Sequence, residues 1–136
     1  MPSLLRYFPA MALPPMVYGV LAVVNGAGIA EGMKQTAFIV GMASGDQWHV
    51  SWGALFIGFS LLCFLAEILR TALPSTASLG VNLLLACALV PCLVLFLLVR
   101  GFGTDEFFLV CLMMMLDFLM DSAILVFTSR RTLEVT

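Results

Sequence analysis

Asp117 and Asp121 sit four residues apart in the apolar run from Phe107 to Phe127. They are the residues of this chain best placed to do chemistry. A carboxylate at the centre of a membrane-spanning helix costs roughly 2.5–3.5 kcal/mol on insertion scales, so it persists there because it is paired or because it works. Four-residue spacing puts both carboxylates on one helical face, where they can relay protons or form a cation path. Glu67 and Arg70 stand near the end of an earlier apolar run, and Asn82 near the start of the next. Gly53, Phe56, Ser60, Cys63, Glu67 and Arg70 follow at three- and four-residue steps, a stripe of small and polar groups. Ser78, Asn82 and Ala86 form a second such stripe. In lipid, helices turn such stripes toward one another. One intramembrane polar cluster is therefore expected: Glu67, Arg70, Asn82, Asp121 and, one turn deeper, Asp117. Its structural reading is a closed ion-pair network in which Arg70 neutralises Glu67 or reaches Asp121. Asp117 is then protonated or paired with a neighbouring subunit. The structural reading outweighs the proton or cation path. Three carboxylates against one arginine nevertheless leave the cluster acidic.

Other candidate ligands are weaker. Met113, Met114 and Met115, with Cys111 and Met120, offer soft donors for Cu(I), but consecutive helical residues point in different directions and cannot share one site. His49 is a surface residue beside Trp48. Cys63, Cys87, Cys92 and Cys111 lie in apolar runs, where cysteine acts as a small hydrophobe, and no C-x-x-C pair occurs. No nucleophile–histidine arrangement, glycine-rich phosphate loop or helical metal motif is present. The sequence thus implies no cofactor and no enzyme.

The elements that position these residues follow from composition. With 62% hydrophobic and 10% charged residues, the chain lacks the polar surface of a water-soluble domain of its length. A net charge of −2 with no basic patch gives nucleic acid no purchase. Four apolar spans emerge, at about 7–24, 48–69, 78–99 and 107–127, forming one domain over residues 1–136. The last three reach ~30 Å, a hydrocarbon core. The expected fold is all-α, four transmembrane helices in an antiparallel bundle. Pro14-Pro15 is expected to bend the first helix, and Pro91 to kink the third by freeing the Cys87 carbonyl. The proline-interrupted first stretch reads as an uncleaved helix rather than a signal peptide.

The loop 25–47 is longer than the other connections. Gln35 to Met42 is rich in apolar and β-branched residues, Ala43-Ser44-Gly45-Asp46 is a turn signal, and Trp48, Val50 and Trp52 alternate with His49 and Ser51. This predicts a short outer-surface β-hairpin, with an interfacial helix as the alternative. Arg6, Arg70, Arg130 and Arg131 lie on one side. Lys34 and Arg100 lie on the other, beside Glu31, Asp46, Asp105 and Glu106. The positive-inside rule then places both termini in the cytoplasm. Trp48 and Trp52 become outer interface anchors, and Arg130-Arg131 inner ones. Ala54 and Gly58 form a small-xxx-small pair, a common helix-packing motif.

Leu4 to Pro9, the stretch Ser44 to Gly53, Glu67 to Arg70 and Gly103 to Phe108 occur in an order that resembles small, uncharacterised four-helix bacterial inner-membrane proteins. The resemblance implies a multi-pass inner-membrane protein with both ends inside, and carries no activity. The functional expectation is a non-catalytic subunit or accessory protein of a larger inner-membrane complex, in contact with the lipid bilayer and other membrane subunits. The alternative is a small oligomeric proton or cation conductor using Asp117 and Asp121.

Overall fold

The structure is a computed structural model that describes residues 8–72 and 79–134. Arg6, Ser78, the Leu4–Tyr7 part of the resemblance and most of the connection after Thr71 lie outside the described residues. A 3-10 turn, Ala10–Ala12, leads into helix α1, Leu13–Asn25. A second 3-10 turn, Gly26–Gly28, leads into the short helix α2, Ile29–Lys34. Strands β1, Thr36–Gly41, and β2, Gln47–Ser51, come next. Three long helices complete the chain: α3, Trp52–Ala72, α4, Leu79–Leu98, and α5, Asp105–Glu134.

Among the described residues, four stretches are long and apolar enough to cross a membrane: Ala10–Lys34, Trp52–Thr71, Gly80–Leu98 and Asp105–Arg131. The chain is a multi-pass membrane protein by this measure. In such a setting every backbone group must find its partner within the segment, which selects helices for these runs. Exposed Val20, Val23, Leu62, Leu65, Leu83, Val90, Leu97, Leu119 and Phe127 give the outside an apolar character suited to lipid.

The first membrane-crossing stretch differs from the sequence expectation. It runs on past Val24 through Gly26–Gly28 to Lys34, so part of the expected loop is helical. Gly26, at φ +57°, caps α1 by donating its N–H to the Ala22 carbonyl, and a side chain would be strained there. Pro14 and Pro15 do not bend this helix from within. They occupy its first turn, where backbone N–H groups have no intrahelical acceptor and a proline removes nothing. Pro91 does lie inside α4, which continues through it.

The hairpin forms where its residue types place it. β1 and β2 pair antiparallel, with Phe38 opposite Val50, Ile39 opposite His49 and Val40 opposite Trp48; the register shifts between Thr36 and Phe38. Its turn is closed by Met42 N–H donating to Asp46 O (2.9 Å) and Gly45 N–H to Met42 O (3.0 Å). Gly45 takes φ +92°, a left-handed conformation that glycine adopts freely. Trp52 N–H donates to Gln35 O, so the hairpin continues directly into α3. Trp48 and Trp52 are both exposed at this end.

The α3 stripe read from the sequence is the buried face: Gly53, Phe56, Ser60, Cys63 and Glu67 all point inward. On α4 the buried face is Val81, Leu85, Leu89 and Cys92, rotated one residue from Asn82 and Ala86, which are half-buried. On α5 it is Phe107, Val110, Cys111, Met114, Asp117 and Asp121. Tyr18 and Met11 complete the core from the N-terminal side.

Candidate functional site

The described polar groups of the interior gather at two levels. At the hairpin end, Tyr18 is fully buried and its ring packs against Phe56, Phe102 and Phe107 at centroid distances of 5.6, 5.5 and 4.9 Å. Its hydroxyl donates to the Gly101 carbonyl (2.8 Å) and lies 2.6 Å from Thr104 Oγ1. A phenol has one proton, so with that proton on Gly101 the Thr104 hydroxyl donates to Tyr18. Thr104 Oγ1 in turn accepts the Phe107 N–H (3.3 Å) and so caps the start of α5. This chain of bonds was not legible in the sequence, which offered only an isolated tyrosine and a threonine far apart. The threonine before Asp105-Glu106 was the one available signal, a helix start.

At the other end stands the acidic cluster. Glu67 is completely buried, Asp117 is 1% exposed and Asp121 9%. Glu67 comes from α3 and the two aspartates from α5, helices that pack directly on one another. One carboxylate oxygen from each of the three lies within 4.8 Å of the others. Arg70, one turn along α3, forms an ion pair with Glu67 Oε1, and its Nη1 donates to the Phe8 carbonyl (3.1 Å). Glu67 Oε2 accepts the Ala10 N–H (2.6 Å). The carboxylate and its arginine thus hold the backbone that leads into α1. Thr71 Oγ1 lies 3.0 Å from Glu67 O and 3.2 Å from Asp121 Oδ1, so its single proton serves a helix carbonyl and a carboxylate.

Four of the five expected cluster residues therefore come together: Glu67, Arg70, Asp117 and Asp121. Asn82 belongs to the neighbouring α4–α5 contact. Its Nδ2 donates to Ser122 Oγ (3.2 Å), and its buried Oδ1 has no hydrogen-bond partner among the described residues. Asp117 Oδ2 is likewise buried without a hydrogen-bond partner among the described residues. Asp117 lies so far inside that a neighbouring subunit's basic group meets almost none of its surface. The methionines do not converge: Met113 and Met114 are buried, whereas Met115 and Met120 are exposed. His49 is on the exposed side of the hairpin.

Between the two polar levels the interior is apolar. Asp117 follows Thr104 by thirteen positions, about 20 Å of helix. Phe107, Val110, Cys111, Met113 and Met114 fill this distance on α5, facing Phe56 and Cys63 of α3. Ser60 is buried within it, but its hydroxyl is bonded to the Phe56 carbonyl of its own helix (2.8 Å). Comparison of the chain with known protein families, with curated proteins and with solved structures gave no match.

Proposed function

We propose that this protein is a non-catalytic subunit or accessory component of a larger assembly in a bacterial inner membrane. Its four spans form an antiparallel bundle with both termini in the cytoplasm. The observation that supports this reading is the apolar core between the two polar levels. Each level joins helices: Glu67 and Arg70 hold the start of the first span, and Tyr18 holds the α4–α5 connection. Polar groups used in this way are the adhesive of a membrane bundle. Grooves of about 480 and 490 Å³ flank α1, one against α3 and one against α4. Both are lined chiefly by apolar side chains, among them Val17, Leu21 and Phe59 in the first and Met16, Leu84 and Leu95 in the second. These are surfaces on which a partner's helices would pack.

Extraction from its native membrane in a mild detergent is expected to recover the chain with a stoichiometric protein partner. Recovery only as a bare monomer, from native-like lipid as well, refutes the proposal. The orientation is tested separately, with reporters fused to each terminus that mature only in the cytoplasm; silence from either fusion refutes it. A second reading, a small oligomeric proton or cation conductor, draws support from the unpartnered Asp117 oxygen and meets an obstacle in the apolar core. It requires a flux into liposomes that falls in Asp117→Asn.

A further inference from the structure

We propose that Glu67, Asp117 and Asp121 form an internal binding site for one divalent cation of calcium type. This goes beyond an accessory role and does not rest on it. Two independent observations carry the inference. The first is geometric: one oxygen from each carboxylate lies within 4.8 Å of the other two. A point central to three such oxygens is at most about 2.8 Å from each. Calcium bonds carboxylate oxygens at 2.3–2.6 Å, so inward movement of a few tenths of an ångström brings all three into contact. Magnesium, at 2.0–2.1 Å with a strict octahedron, demands a larger contraction.

The second observation is that Asp117 Oδ2 is an orphan. The side chain is 1% exposed, and this oxygen has no hydrogen-bond partner among the described residues. An uncompensated buried carboxylate is among the costliest groups a protein can hold. Glu67 is already served by Arg70 and the Ala10 N–H, and Asp121 by Thr71. Among the described residues no hydrogen bond reaches Asp117 Oδ2, and one oxygen of the same carboxylate belongs to the group of three. Charge points the same way. With all groups ionised, three carboxylates and one guanidinium carry two excess negative charges, which one divalent cation cancels. All-oxygen donors select a hard ion, and the buried thiols of Cys63 and Cys111 are not members of the group. Arg70 keeps part of its side chain exposed and Asp121 is the least covered carboxylate, so the Arg70 end is the route by which an ion would enter.

The test uses the full chain purified in lipid nanodiscs, first stripped with a chelator and then titrated with calcium chloride by calorimetry. Saturable binding of one calcium per chain is expected, with magnesium at least tenfold weaker. Asp117→Asn, nearly isosteric and neutral, is expected to weaken calcium binding at least tenfold, whereas Asp46→Asn in the hairpin turn leaves it unchanged. Chelator is expected to lower the melting temperature of the wild type but not of Asp117→Asn. If that variant does not fold, Asp121→Asn provides the same comparison. Saturable binding that survives both cluster substitutions overturns the proposal, because the ion is then elsewhere. So does an absence of saturable calcium binding by the wild type; an infrared carboxylic-acid band that disappears in Asp117→Asn then identifies protons as what neutralises the cluster.

Discussion

Removing Arg70 is expected to harm this protein more than removing its partner Glu67. Arg70→Gln leaves Glu67, which is fully buried, with backbone N–H groups of Ala10 and Met11 but no cation to compensate its charge among the described residues, and it deletes the bond to Phe8 O. Breaking a buried pair by taking one partner costs about 3–5 kcal/mol. Because the Arg70 side chain keeps 21% exposure, the lower end applies, about 3 kcal/mol. Glu67→Gln has a different outcome. The amide oxygen still accepts from Ala10, and the partly exposed guanidinium retains Phe8 O and reaches water, for a cost of about 1–2 kcal/mol. The double substitution removes both charges and is expected to cost less than the two singles combined, by about 1–2 kcal/mol. Unfolding in mixed micelles at rising dodecyl sulfate fraction, followed by the fluorescence of Trp48 and Trp52, measures all three. Equal costs for the two single variants, or strictly additive costs in the double, would refute the assignment of Glu67–Arg70 as a buried pair with one dependent member.

Two further substitutions probe the hairpin end. Tyr18→Phe keeps the aromatic packing but strands the Gly101 carbonyl and the Thr104 hydroxyl, for about 1–3 kcal/mol in the same assay; Thr104→Val added to it is expected to cost little more, and full additivity argues against a shared bond chain. Gly53→Ala drives a methyl group into the Glu106 carboxylate and to 3.0 Å from Met33 O, which is expected to cost about 1–3 kcal/mol. Glu106→Ala is expected to recover part of that loss, and no recovery refutes the contact.

The sequence carried more of α3 than of any other element. Its stripe from Gly53 to Glu67 is legible because small, polar and aromatic residues alternate with long aliphatic ones at helical spacing, and in lipid the former turn inward. The same reasoning misplaced the buried face of α4 by one residue. There nearly every position is aliphatic, and the stripe was drawn through Ser78, Asn82 and Ala86, yet Val81 and Leu85 are the residues that pack. Asp117 and Asp121 announced themselves through cost alone. What spacing could not give was their company: that Ala10 and Phe8 supply backbone to Glu67 and Arg70 depends on how the first span enters its helix. The prolines were misjudged for the same reason, since a proline pair breaks a helix in its middle and merely opens it in its first turn.

The first helix is fastened at two points, one on the residues that lead into it and one within it. Glu67 and Arg70 grip that lead-in at Ala10 and Phe8, and Tyr18, inside the helix, grips the strip from Gly101 to Thr104. Greasy contacts between these latches resist separation but scarcely resist sliding, because one methyl group serves a neighbour as well as the next. Two directional latches about 12 Å apart fix the axial position that grease leaves open. Both sets of partners come later in the chain than α1, the second after three further helices have been made. The helix is therefore made before either set of its partners, and a truncation before Thr104 leaves it held by the first latch alone.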